Sequence, residues 1–274
     1  MQTLDGNTEV YGIMGWPVSH SLSPALHNRA FAELGLNKVY VPFPVPGEDV
    51  EAALHGFRAT GVRGLSVTIP HKQAVIPFLD TLDPVAARIG AVNTLLVKDG
   101  RIHGYNTDWQ GANQALTEVV DLAGTRVVLL GAGGSARALG FGLLEAGAKV
   151  VVASRTPAQG QALAADMNCH WQPLAEVEKL TAEVLVNATS VGMAPAIDEM
   201  VVPSAILSGY RVVMDIVYSP LETKLLQEAA GAGCQVVNGL AMLLYQGAAQ
   251  FELWTGLKAP LDAMRQELDR RFKK

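Results

Sequence analysis

Residues 125–155 read TRVVLLGAGGSARALGFGLLEAGAKVVVASR, and the fold turns on them. Val127 to Leu130 form a short apolar run of the kind that becomes a buried parallel strand. The glycine turn Gly131-Ala132-Gly133-Gly134-Ser135-Ala136 follows at once. An apolar helical segment comes next, stopped by Gly147, and then a β-branched run, Val150-Val151-Val152. Strand, glycine turn, helix and strand make one βαβ unit. The turn matches G-x-G-x-x-G/A with Ala136 in the third place, a pattern that carries meaning only between a strand and a helix. Gly131 allows the tight turn, Gly133 lets backbone N–H groups approach a pyrophosphate, and the helix N-terminus faces the anion with its positive dipole end. An ordinary glycine-rich turn is the competing reading, and the completeness of the unit favours a dinucleotide site.

The end of the second strand bears on which dinucleotide. Units that take NAD place Asp or Glu there to bind the ribose 2′-hydroxyl. This chain has Ser154-Arg155-Thr156. No carboxylate repels a 2′-phosphate, and an arginine pairs with one in a charge-assisted way, so NADP is favoured over NAD. The alternative for Arg155 is a solvated residue after a strand.

Outward from this unit, strand-like runs continue at 182–189, 210–218 and 234–239, and a helix at 109–124 precedes it. The first hundred residues alternate as well: strands at 10–15, 38–45 and 64–70, helices at 24–35 and 48–61, short helices in QAVIPFLD and DPVAARIG, and a hairpin over 93–108 around Asp99-Gly100. Such alternation predicts mainly parallel sheet covered by helices, and the end of the chain is helical. The expectation is an α/β protein of two lobes with a helical tail, divided as residues 1–108, 109–239 and 240–274.

Composition narrows the class. The chain has 274 residues, 49% of them apolar, and a net charge of −5 with scattered Lys and Arg, which argues against nucleic acid and anionic membranes as partners. The N-terminus MQTLDGNTEV has no basic start and no apolar h-region, so a cytoplasmic protein is expected. Cys169 and Cys234 form no CxxC pair and are read as buried free thiols. His20, His27, His71 and His103 show no ligand spacing, so no metal is expected.

Two stretches of the first lobe hold candidate chemistry. In SHSLSPALHNRAF, Ser23 reads as a helix N-cap with Pro24 at the first helical position, which is sufficient structurally. Ser21 and Ser23 also offer two hydroxyls to a carboxylate. In LSVTIPHK a buried strand ends on a histidine and a lysine. Neighbouring side chains of an extended segment point opposite ways, so one of the two is expected to face a pocket.

Nine stretches, in order, together resemble the shikimate/quinate dehydrogenase family: SHSLSP (19–24), SVTIPHK (66–72), GAVNTL (90–95), GYNTDWQG (104–111), GAGGSA (131–136), SRT (154–156), NATSVGM (187–193), DIVYSPLETKLL (215–226) and NGLAMLLYQGAAQFELWTG (238–256). The resemblance implies an N-terminal α/β substrate domain, a Rossmann-type NADP domain, and C-terminal helices that return to the first lobe. It implies reversible reduction of 3-dehydroshikimate to shikimate with NADPH, by a monomer or homodimer. By the same resemblance Lys72 and Asp108 are the catalytic pair. Ser21 and Ser23 take the substrate carboxylate, and Thr68, Asn93, Tyr218 and Gln246 contact the rest of the substrate. Gly131, Ala132, Gly133, Gly134, Ser135, Ser154, Arg155, Thr156, Thr189, Ile216 and Gly239 line the cofactor. The chain departs from the family pattern at Ser154, where Asn is common, at Gln159, near where a second cation is expected, and at Ser66 and Ser219. A quinate/shikimate dehydrogenase with relaxed NAD/NADP use is the nearest alternative. A non-catalytic sensor of such ligands is a further one, disfavoured because Lys72 and Asp108 are both present.

Overall fold

A computed structural model describes residues 4–272. The chain divides into two compact units, one of residues up to Thr107 together with those from Gln246 onward, the other Asp108–Tyr245.

The first unit begins with β1 (Glu9–Gly15), α1 (Ser23–Glu33), β2 (Lys38–Pro44), α2 (Val50–Ala59), β3 (Gly64–Val67), β4 (Thr81–Leu82), α3 (Pro84–Ile89), β5 (Thr94–Lys98) and β6 (Arg101–Tyr105). Its strands lie in the order β2-β1-β3-β5-β6-β4. β1 runs parallel to β2 and β3, but β5 is antiparallel to both β3 and β6. With β4 parallel to β6, the sheet is mixed: three parallel pairs and two antiparallel ones. The cause is Asp99-Gly100, both with positive φ (52° and 69°), the backbone of a two-residue hairpin that reverses the chain. β2 carries Pro42 and Pro44 at the sheet edge, where a missing N–H leaves no ladder bond unmade. Met14, Leu54, Leu65, Leu95 and Ile102 fill the core on one face.

Ser23 does not cap α1. The helix begins on Ser23 itself, Leu22 stands at the cap position in helical conformation, and no side chain caps the end. The local bond runs the other way: the Ser23 backbone N–H donates to Ser21 Oγ at 3.2 Å.

The second unit holds α4 (Asp108–Thr117), β7 (Arg126–Leu130), α5 (Gly134–Glu145), β8 (Lys149–Ser154), α6 (Pro157–Asp166), β9 (His170–Pro173), β10 (Val184–Asn187), β11 (Val212–Asp215), α7 (Lys224–Gly231) and β12 (Gln235–Val237). Its sheet, in the order β12-β11-β10-β7-β8-β9, is parallel throughout. α4 stops at Thr117 rather than continuing to 124. Asp121 Oδ1 accepts from the Ala123 N–H at 3.0 Å and its carbonyl from Thr125 Oγ1 at 2.7 Å, offering the backbone bonds other than helical ones.

The chain closes with α8 (Gly239–Thr255), which crosses the division between the units, and α9 (Leu261–Phe272). α8 buries Leu243, Leu244, Phe251 and Trp254, as a helix apolar nearly all round must. In the first unit Trp254 donates its indole N–H to the Leu95 carbonyl at 3.0 Å. Gly64 leaves the room: a Cβ there would meet Trp254 Nε1 at 2.5 Å. His27, on α1, stacks on Tyr40 with ring centroids 4.5 Å apart. Burial pushes its pKa down to about 3, so it is a neutral core residue. Among the described residues no helix is long and apolar enough to cross a membrane.

Candidate functional site

In the first unit Asn93, Thr107 and Gln246 meet in one hydrogen-bonded network, while Thr68 and Lys72 follow the end of β3. β3 stops at Val67 and the chain turns from Ile69 to Val75. His71 and Lys72 thus lie in a turn, not an extended segment, and the opposite-faces argument does not apply. Burial separates them instead. His71 is 1% exposed, and its Nε2 lies 2.7 Å from the Val45 carbonyl. A carbonyl only accepts, so this nitrogen carries the proton and His71 is committed to structure. Lys72 has its carbonyl held by the Val92 N–H at 2.7 Å and its side chain part-exposed. Thr68 is part-exposed beside it, its N–H on the Met14 carbonyl at 3.0 Å.

Asn93 is the hub of a buried network. Its Oδ1 accepts from the Thr107 backbone N–H at 2.8 Å and from Thr94 Oγ1 at 2.7 Å. The backbone donor fixes which end of the amide is oxygen. Nδ2 then donates to Thr107 Oγ1 at 3.0 Å and to Gln246 Oε1 at 3.3 Å. Gln250, one helical turn after Gln246, donates to the Asn93 carbonyl at 3.0 Å and to Thr94 Oγ1 at 2.9 Å. Its Oε1 accepts from Ser66 Oγ at 2.7 Å, and Ser66 Oγ accepts from Tyr40 at 2.6 Å. Ser66, one of the departures from the family pattern, is thus tied to Tyr40 and Gln250.

In the second unit Gly131 has φ of 113°, and a Cβ there would lie 3.0 Å from Thr189 Cγ2 and 3.2 Å from the Ala188 carbonyl. Only glycine fits both the conformation and the approach. A Cβ on Gly133 would meet nothing within 4 Å, and the N-terminus of the twelve-residue α5 has no side-chain cap. A helix N-terminus above an open glycine turn fits a pyrophosphate. At the end of β8, Ser154 is buried while Arg155 and Thr156 are exposed. Ser154 and Arg155 line a groove of about 400 Å³ with Pro173, Leu174, Val177 and Val201.

Thr189 and Ile216 are carried by a buried carboxylate that sequence reading did not single out. Thr189 donates its N–H and hydroxyl to Asn187 Oδ1 at 3.0 and 2.7 Å. Asn187 Nδ2 donates to Asp215 Oδ1 at 3.0 Å, which also accepts from the Val217 N–H at 3.0 Å. Thr223 Oγ1 donates to Asp215 Oδ2 at 2.7 Å. Burial outweighs these three bonds and pushes the Asp215 pKa up to about 6. A raised carboxyl pKa means that the fold favours the protonated form. Its contribution to stability is fully present below the unfolded value near 4 and is lost as pH rises through about 6. Asp215→Asn does not titrate: its Oδ1 keeps both acceptor roles, and the loss of the Oδ2 acceptor for Thr223 is a cost that does not vary with pH. Relative to wild type the variant is expected to gain roughly 1–3 kcal/mol between pH 4 and 7, with no further gain above. Thermal melts of both proteins across that range check this, and a pH-independent difference would contradict it.

Cys234 is buried with its thiol toward the Leu207 and Tyr210 carbonyls, whereas Cys169 is only half-buried. Among the described residues no group of three His, Cys, Asp or Glu could hold a metal ion.

A parallel six-stranded sheet with an uncapped glycine turn and an arginine after the second strand, in a chain with a separate polar-networked α/β unit, defines a two-unit dinucleotide-binding protein of the dehydrogenase kind. Family models described as "Shikimate dehydrogenase substrate binding domain", "Shikimate / quinate 5-dehydrogenase" and "Shikimate 5'-dehydrogenase C-terminal domain" match residues 13–95, 113–218 and 239–268. The chain belongs to the shikimate dehydrogenase family. It is 46% identical to the shikimate dehydrogenase (NADP(+)) of Methanothermobacter thermautotrophicus, over 97% of this chain and 98% of that one. It is 47% identical to that of Moorella thermoacetica, over 96% and 94%. Among solved structures it is similar to the Thermus thermophilus shikimate 5-dehydrogenase in complex with NADP(H) and shikimate: TM-score 0.87, 40% identity, 96% and 99% of the two chains. The Listeria monocytogenes enzyme in complex with shikimate and NAD gives TM-score 0.87 and 36% identity over 98% and 99%.

Proposed function

We propose that the chain is an NADP-dependent shikimate dehydrogenase that interconverts 3-dehydroshikimate and shikimate in aromatic amino-acid biosynthesis. The observation that carries the reading is Arg155, exposed at the end of β8 with no carboxylate beside it in the sequence, in a chain that matches NADP-dependent relatives along nearly its whole length. NADP, when bound, supplies the hydride chemistry. The protein's own residues bind and orient the substrate and handle the proton. Ser21 and Ser23 take its carboxylate, with Thr68, Asn93, Tyr218 and Gln246 on its hydroxyls. Charge that grows on the ketone oxygen during reduction needs a proton at that atom, and Lys72, with Asp108 as its catalytic partner, supplies it. His71 is excluded by its bond to Val45. Gly131 to Ser135, Ser154 to Thr156, Thr189, Ile216 and Gly239 hold the cofactor. The reading places the protein in the cytoplasm, as a monomer or homodimer without nucleic-acid or membrane partners.

A spectrophotometric assay with shikimate and quinate, each against NADP and NAD, tests it. Shikimate with NADP is expected to give the highest kcat/KM, and a best pair of quinate with NAD would overturn the reading. Arg155→Ala is expected to raise KM for NADP about ten- to hundredfold, the worth of a charge-assisted pair. It should leave kcat nearly unchanged, because the 2′-phosphate is remote from the reacting carbon. An unchanged KM would remove Arg155 from the site.

A further inference from the structure

Ser154 is buried at the end of β8, and its hydroxyl is engaged inside the protein. Trp171, on the edge strand β9, donates its indole N–H to Ser154 Oγ at 2.9 Å. Ser154 Oγ donates in turn to the Thr156 carbonyl at 3.2 Å. That carbonyl also accepts the first helical bond of α6, from the Gly160 N–H at 3.1 Å. Arg155 and Thr156, the two residues between β8 and α6, are therefore strutted from the neighbouring strand. Gly160 makes the strut possible: a Cβ there would lie 2.1 Å from both Ser154 Oγ and Trp171 Nε1. Thr156 sits at the N-cap of α6 without a side-chain cap bond, so the strut, not a cap, sets this turn.

We propose that Trp171 is a positioning residue for the NADP 2′-phosphate, its indole N–H acting through the Ser154 hydroxyl to fix the β8–α6 turn from which Arg155 reaches the phosphate. The inference rests on the NADP reading above. Arginine gains from a bidentate anion contact only when its backbone presents the guanidinium at the right place, because ordering a mobile turn subtracts from affinity. The Ser154 hydroxyl spans the turn to the Thr156 carbonyl, and the indole holds that hydroxyl from behind.

The test uses the full-length protein without cofactor and two ligands that differ only by the phosphate in question, adenosine 2′,5′-bisphosphate and 5′-AMP, titrated by calorimetry. Wild type is expected to bind the bisphosphate more tightly, and Arg155→Ala to abolish that difference. Trp171→Phe, which keeps the ring and loses the N–H, is expected to weaken the bisphosphate roughly three- to tenfold and 5′-AMP by less than about twofold. Ser154→Ala, cutting the same strut from its other end, should do the same, and the double variant should lose no more than either single one. Equal loss for both ligands would reduce Trp171 to packing, and unchanged affinities in both variants would show that the strut positions nothing; either overturns the inference while leaving Arg155 in place. A wild type that does not distinguish the two ligands would overturn the NADP reading and this inference with it.

Discussion

Replacing Lys72 by methionine is expected to lower kcat at least about a hundredfold, the low end for loss of a general acid–base, while shikimate still binds. Methionine keeps the length of the side chain and removes the ammonium. The competing proton carrier, His71, is more reactive in ordinary chemistry, since an unperturbed imidazole titrates near neutrality. The structure removes it from contention. Its ring is buried and one nitrogen is bonded to the Val45 carbonyl. His71→Ala should therefore keep most of its specific activity and lose stability, because it leaves a small cavity and an unpaired carbonyl. Asp108→Asn should lower kcat as well, and the Lys72→Met/Asp108→Asn double variant should lose less than the product of the two single losses. Steady-state kinetics on the four proteins decides it. Normal turnover by Lys72→Met with a dead His71→Ala would reverse the assignment.

The second large effect is expected at Gln250. It is fully buried, and its three hydrogen bonds bridge α8 to β3 and to the start of β5. Leucine fills a similar volume but makes none of them, and the Ser66 hydroxyl loses its acceptor. Three net bonds and one stranded donor come to roughly 3–5 kcal/mol. In a chain of this size that is a fall in Tm on the order of 10 °C. Gln250→Glu should be worse than Gln250→Leu, because a carboxylate accepts from Ser66 yet cannot donate to Asn93 and Thr94, and it buries a charge. The network also predicts a functional loss. Thr94 orients the Asn93 amide and Gln250 orients Thr94, so KM for shikimate should rise in Gln250→Leu at temperatures where the variant is still folded. Melts no more than a degree or so apart would mean that water replaces the amide at little cost.

Some of this was legible in the sequence and some was not. The βαβ unit around Gly131 was, because a β-branched run, a glycine turn and an apolar helix each carry their own period. So was the Asp99-Gly100 hairpin, whose turn chemistry is local. Strands β4 and β9 were not: one has two residues, and the other, His-Trp-Gln-Pro, has no alternation of its own and pairs only because β8 lies beside it. The helix α6 was hidden by Gly160, an unfavourable residue in a helix interior whose reason is the indole of Trp171. The cap on α1 was misplaced by one residue because the position falls on Leu22, a residue type that carries no capping signal, between two serines that do. Gln246 and Gln250 stood out as polar residues on an apolar helix. Their partners, Ser66, Asn93 and Thr94, lie more than 150 positions away, and that register is set by tertiary packing alone.

The first unit is built from two stretches of chain separated by the whole of the second. The hydroxyl of Thr107, at the end of its first stretch, donates to the carbonyl of Gln246, at the start of its last, at 3.1 Å. During synthesis this sets an order. The second unit is contiguous and has all its strands once the ribosome has passed β12. The first has its mixed sheet early, but Asn93, Thr94 and Ser66 must wait for Gln250, and Leu95 for Trp254, until α8 has been made. At translation rates of about 5–20 residues per second, a half-finished first unit with exposed core persists for roughly 7–28 s while Asp108–Tyr245 is being made. A chain halted just before α8 has every strand of the second unit and leaves the first unit's core open where α8 would cover it.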